Sequence, residues 1–388
     1  MSPIAGFHII CVVWFFVLGA VVGSFLNVCI YRLPWQKSVI WPESRCPKCL
    51  EAIAPRDNVP ILSWLLLRGA CRNCALPISP RYALVEALVG VLFVGAYVTD
   101  VGFGDQVLFA GVSFAQLGYH LVLVALLVAA TFTDYDYQVI PDSITRTGMV
   151  LGLALGAAFP EVRPIPSDAA TTWGAFQPGV VGAGLGFLAG GLVRLLARFL
   201  RETVFHREPT SGPASKPSVR EPILAPEETF GLPVVAAVIG WHIAVLPLRP
   251  VWGGLVVGVE GLLIGGGLVW FVRTVFSPIF RREAMGFGDV TLMAMIGSFL
   301  GWQAAVLSFF IAAFLGLAHA LSKLVPNLWK RITGRSTRAA DHEMPLGPYL
   351  AMAALVLILA WPKLWSGWAA SLFSTLGDLA RFLVTGDL

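Results

Sequence analysis

Met285-Gly286-Phe287-Gly288-Asp289 stands between two apolar stretches, Val251–Val272 and Val290–Leu300. This junction decides the fold class, because it sets a carboxylate at the edge of what reads as a membrane span. An ionisable group there is costly and usually functional. Gly286 and Gly288 let backbone or substrate approach Asp289 closely. The plain alternative is an aspartate that caps the next helix. The tetrapeptide also has a twin, Gly102-Phe103-Gly104-Asp105, so its surroundings must separate the two copies.

Those surroundings are apolar throughout. The chain has 388 residues, 57% of them hydrophobic and 13% charged, with a mean hydropathy of +0.77. Soluble proteins carry roughly 25% charged residues, so a soluble globular class is excluded. The alternating segments of an outer-membrane barrel are missing as well. An all-α polytopic membrane protein of roughly 8–10 transmembrane helices is expected, with the lipid bilayer as its surroundings. Phe7–Leu26 lacks a basic segment before it and a small-residue cleavage site after it, and reads as a retained first span. The net charge of +4 is unremarkable, and no nucleic-acid partner is expected.

The spans read as Phe7–Leu26, Tyr82–Thr99, Val107–Thr133, Thr147–Pro160, Gly179–Leu200, Phe230–Leu248, Val251–Val272, Val290–Leu300, Ala304–Ser322 and Pro345–Trp361. Leu364–Val384 reads as an interfacial amphipathic helix. Alternating the spans puts 32–81, 134–146, 201–229, 273–289 and 323–344 on one side. With Arg194 and Arg198, at a basic helix end, assigned to it as well, that side holds 23 Lys and Arg against 4 on the other. The positive-inside rule makes that side cytoplasmic. Asp289 then lies at the cytoplasmic boundary, and Asp105 in a short outer loop as a chance match.

Cys46-Pro47-Lys48-Cys49 and Cys71-Arg72-Asn73-Cys74 have the spacing of a four-cysteine zinc site. Two disulfides are the alternative, disfavoured by a reducing cytoplasm. Four thiolates leave no open coordination position, so the expected ion, zinc or iron in its place, is structural and no catalytic metal is expected.

A second carboxylate cluster, Asp134-Tyr135-Asp136 with Ile140-Pro141-Asp142, follows the third span on the same side as Asp289. Two aspartates held close can share one proton, one serving as general base toward water and the other as general acid. Asp136 and Asp142 could equally be ordinary loop carboxylates, with Asp142 capping the next helix.

At this point the chain resembles the prepilin peptidase (type IV leader peptidase) family of Gly-x-Gly-Asp membrane aspartic proteases. Gly23-Ser24-Phe25-Leu26-Asn27-Val28-Cys29-Ile30-Tyr31-Arg32-Leu33-Pro34 matches its N-terminal signature, followed by the cysteine pairs and Arg81-Tyr82-Ala83-Leu84-Val85-Glu86. Asp134 with Ile140-Pro141-Asp142, then Gly286-Phe287-Gly288-Asp289-Val290, match the two catalytic motifs, and Pro345-Leu346-Gly347-Pro348 a late element. The resemblance implies a catalytic dyad of Asp134 and Asp289. It implies removal of the leader from type IV prepilins or type II secretion pseudopilins at the cytoplasmic side of a bacterial inner membrane. In bifunctional relatives it also implies N-methylation of the new terminus with S-adenosylmethionine, for which no local motif is evident.

The two aspartates stand farther apart in sequence than the family pattern, so 165–250 is expected to be an insertion, with a flexible cytoplasmic linker near 201–229. The domains then run 1–31 for the first span, 32–81 for a small zinc-ribbon-like cytoplasmic domain, 82–164, 165–250 and 251–388. Gly190-Gly191-Leu192-Val193 and Gly266-Gly267-Leu268-Val269 hint at a repeat, although Gly-rich packing faces arise independently.

Glu86, Glu260 and His319 lie within apolar spans, and Glu86 is expected to meet either Arg81 or substrate. His8, His120 and His242 are expected to pack as polar groups. Two rival functions are a Gly-x-Gly-Asp protease cutting inside a span, which leaves the cysteine pairs unexplained, and a transporter built on Gly-rich helices. A scaffold without activity is disfavoured by the presence of both motif aspartates.

Overall fold

The computed structural model describes residues 3–102, 111–159, 162, 250–280, 283, 285–332, 345–364 and 371–375. These residues belong to one compact unit drawn from 1–166 and 250–388. Asp105, His242, the Gly190–Val193 half of the suggested repeat and the spans expected at Gly179–Leu200 and Phe230–Leu248 lie outside the described residues. Most of Leu364–Val384 does too.

The described residues are helical and contain no strand. The helices are α1 (Pro3–Arg32), α2 (Leu62–Leu66), α3 (Arg81–Asp100), α4 (Gly111–Tyr137), α5 (Asp142–Ala158), α6 (Pro250–Phe280), α7 (Phe287–Leu300), α8 (Trp302–Ile332) and α9 (Gly347–Leu364). Among the described residues, five segments are long and apolar enough to cross a membrane: Gly6–Trp35, Arg81–Asp100, Phe114–Tyr137, Gly254–Ile279 and Trp302–Lys323. Phe287–Leu300 and Gly347–Ala360 are shorter apolar helices.

Two antiparallel hairpins frame the unit. α1 packs on α3 and α6 on α7, while α4, α5 and α9 fill the space between them. The crossings are close because small residues face each other. A Cβ built on Gly261 would lie 2.0 Å from the Gly297 carbonyl oxygen, and one on Gly297 1.9 Å from that of Gly261. In the first hairpin a Cβ on Gly23 would come within 2.8 Å of the Glu86 Cα, and Asn27 Nδ2 donates to the Tyr82 carbonyl at 3.1 Å. The N-terminal signature residues Gly23 and Asn27 therefore seat α1 against the first turns of α3.

α7 has only 14 residues, about 21 Å of helix. From Val290 to Leu300 every residue except Thr291 is buried. It packs against α6, α5, α8, α9 and α4. A helix apolar on all faces belongs to an interior, and here its neighbours are protein. Gly301, at φ 84°, turns the chain directly into α8.

Candidate active site and metal centre

Asp134 lies three residues before the end of α4, and Asp289 in the first turn of α7. Both are buried, at 7% and 8% exposure, although each belongs to a residue type that is almost never buried unpaired. Each has a backbone donor. The Gly347 N–H donates to Asp134 Oδ2 at 3.0 Å, and the Gly286 N–H donates to Asp289 Oδ2 at 3.1 Å. Asp289 is thus the third residue of its helix, reaching back to the residue before the first turn.

Gly288, beside Asp289, and Gly347, the donor to Asp134, both pack on Ile140, which brings the two carboxylates to one end of the bundle. Glycine makes this arrangement sterically open. A Cβ on Gly347 would lie 2.4 Å from Asp134 Oδ2 and 3.1 Å from Ile140 Cδ1. A Cβ on Gly288 would lie 3.1 Å from the Ile140 Cβ. Ile140 is therefore wedged between the Gly-Phe-Gly-Asp turn and the start of α9, holding three distant parts of the chain at one end of the bundle.

Arg273 of α6 brings a cation to this end. Its Nη2 donates to Glu283 at 3.1 Å, its guanidinium lies 6.0 Å from the centre of the Phe287 ring, and its charge also reaches Asp289. Nothing in the sequence singled it out, since it ends an apolar run as many arginines do. The other motif carboxylates are arranged differently. Asp136 pairs with Arg81, and Asp142, at the start of α5, pairs with Arg146 one turn along the same helix. Glu86 is not the partner of Arg81. Its Oε2 accepts the Ile61 N–H at 2.7 Å, because α3 is flanked there by the cysteine domain. His319 hydrogen-bonds Tyr349, His8 Nδ1 meets Tyr97 Oη at 2.8 Å, and His120 Nδ1 meets Asp100 Oδ2 at 2.8 Å.

The four cysteines converge. Their Sγ atoms lie within 4.8 Å of one another, with 3.6 Å between Cys46 and Cys74 and 4.0 Å between Cys49 and Cys71. A tetrahedral zinc with Zn–S bonds of 2.3 Å needs sulfurs about 3.8 Å apart. The set fits, and all four thiols are free of disulfides. Two like turns build it. Leu50 N–H donates to the Cys46 carbonyl and Ala75 N–H to that of Cys71, with Leu50 and Ala75 both at positive φ. Short bridges Arg45–Ala52 and Ala70–Pro77 close the two turns. The N–H groups of Cys49 and Lys48 lower the pKa of the Cys46 thiol, which favours its thiolate.

Residues 17–99 match the Bacterial Peptidase A24 N-terminal domain, and residues 223–321 match the Type IV leader peptidase family. A prepilin leader peptidase/N-methyltransferase of Myxococcus xanthus is 31% identical over 340 residues, covering 88% of this chain and 70% of that protein. The chain belongs to the type IV leader peptidase family. Proteins of the same name from Aeromonas hydrophila and Neisseria gonorrhoeae are 27% and 26% identical, with coverage of 89% and 90% of each chain. No solved structure matches. The cysteines fall in the first matched segment and Asp289 in the second, while Asp134 lies between them.

Proposed function

We propose that this chain is a membrane aspartic endopeptidase that removes the leader peptide of type IV prepilins or type II secretion pseudopilins, with Asp134 and Asp289 as its dyad. The observation that carries the reading is the convergence of two buried aspartates from α4 and α7, each with a backbone N–H donor. Two such carboxylates cannot both stay charged at close range, and they share one proton. The charged member takes a proton from a water molecule, and the protonated member donates to the oxygen of the scissile carbonyl. The Gly347 and Gly286 N–H groups each leave one carboxylate oxygen of their aspartate for this work.

The excess of basic residues on this side supports a site at the cytoplasmic face, which for this family reading is that of a bacterial inner membrane. The four thiolates Cys46, Cys49, Cys71 and Cys74 hold a structural zinc that closes the 32–81 domain. We read an insertion in 165–250, supported by the compact unit that 1–166 and 250–388 make together, although the family match already covers its last part from residue 223. Relatives named prepilin leader peptidase/N-methyltransferase support a second activity, N-methylation of the new terminus from S-adenosylmethionine. No residue here is assigned to that methyl donor.

Co-expression with candidate prepilins, followed by mass spectrometry of the substrate N-terminus, tests both activities together. Asp134→Asn and Asp289→Asn are each expected to abolish cleavage while the protein still inserts. Full cleavage by either variant removes that residue from the mechanism. Leader removal without a mass increase of one methyl group removes the second activity.

A further inference from the structure

The cysteine domain carries an apolar face apart from the aspartate pair. α2 turns one side inward. Ser63 is buried, with its hydroxyl donating to the Arg56 carbonyl at 3.2 Å, and Trp64 Nε1 donates to the Ile78 carbonyl at 3.0 Å. The opposite side presents Leu62, Leu65 and Leu66, which are 57%, 57% and 82% exposed. Spaced three and four residues apart, the three share one face.

The depth of this face is set by a hydrogen bond. The Ile61 N–H donates to Glu86, which lies roughly 7.5 Å along α3 from its first residue, Arg81. α3 is one of the helices able to cross a membrane, so Ile61 is held level with its second turn. The chain adopts a tight turn to reach this point. Ile61 has φ 60° and ψ −52°, with the Leu62 N–H donating to the Pro60 carbonyl at 2.5 Å. A β-branched residue avoids that conformation unless its surroundings impose it. α2 begins immediately afterwards.

We propose that α2 is an interfacial foot, whose leucine face enters the headgroup layer of the bilayer at the end of the bundle that holds Asp134 and Asp289. Lipid is the occupant because the domain is strung between α1 and α3, both able to cross the membrane, and its leucines sit at the level of the α3 entry. Charge complementarity points the same way. Residues 32–81 carry eight basic and three acidic side chains, the balance that anionic headgroups attract. Trp35 and Trp41, on the chain leaving α1, are 61% and 69% exposed and are of the residue type that gathers at membrane interfaces.

The test uses the full chain in nanodiscs containing anionic phospholipid. Leu66 is replaced by p-acetylphenylalanine and coupled to a nitroxide, which leaves the cysteines untouched. A second preparation carries the label at Glu51, exposed beside the first cysteine turn. Power-saturation spectra are taken with oxygen and with a water-soluble nickel chelate. The expected result is a ratio of oxygen to nickel accessibility several-fold higher at 66 than at 51. Equal ratios place the leucines in water and overturn the proposal. Shielding of position 66 from both reagents means a protein covers the face, and overturns it as well.

Discussion

Gly347→Ala tests how the site is held. A methyl group on residue 347 would sit 2.4 Å from Asp134 Oδ2 and 3.0 Å from its Cγ, so the carboxylate must move away. Its backbone hydrogen bond, 3.0 Å long, is then stretched or lost. A hydrogen bond to a charged group is worth about 1.5–3 kcal/mol, and displacing a reacting group by about 1 Å can cost 10²-fold in rate. With tenfold for each 1.36 kcal/mol, both routes converge on a loss of about 10²-fold in cleavage. The paired control is Gly267→Ala on α6, where an added Cβ meets nothing within 4 Å. Both variants are compared for insertion in membranes and for initial rates of prepilin cleavage by mass spectrometry. Gly347→Ala with more than a third of normal activity would refute the reasoning, since the carboxylate would then tolerate displacement.

Other outcomes follow from the same geometry. Cys46→Ser is expected to leave the purified protein without its equivalent of metal, read by elemental analysis, and acidification of the unaltered protein is expected to release the metal as the thiolates take up protons. Gly297→Ala forces a Cβ to 1.9 Å from the facing carbonyl oxygen of Gly261. It is expected to lower folded yield and thermal stability in detergent by about 1–3 kcal/mol or more, the cost of overpacking. Asp105→Asn is expected to leave cleavage intact. Loss of activity there with normal expression would invert the assignment of sides.

Much of the architecture can be read from the chain because membrane helices announce themselves by length and composition. α1, α3, α4, α6 and α8 all follow apolar runs visible in the sequence, and counting basic residues places Asp134 and Asp289 on one side. The neighbours of each run are harder to read. Val290–Leu300 reads as a short span, yet α7 is enclosed by protein, and an apolar stretch does not reveal whether lipid or protein surrounds it. Glu86 offers a second case. Its nearness to Arg81 in sequence suggests an ion pair, but Arg81 turns to Asp136 and Glu86 secures Ile61. The positive φ at Ile61 occurs at a residue type that signals extended chain, so no local feature marks it. Asp142 shows the same limit, being a motif carboxylate whose side chain pairs with Arg146. Pro345-Leu346-Gly347-Pro348 stood out through family resemblance, yet its contact with Asp134 spans 213 positions and leaves no trace in local sequence.

That contact has a consequence for the timing of biogenesis. The ribosome releases Asp134 into the membrane long before residue 347 is made, and until then its Oδ2 lacks the donor that α9 supplies. Asp289 likewise arrives late in translation. A chain synthesised only as far as α7 therefore has Asp289 with its Gly286 donor but Asp134 without its own, and the pair is complete only when α9 docks. Truncation before α9 would leave a protein with both aspartates and four cysteines but without the hydrogen bond on Asp134.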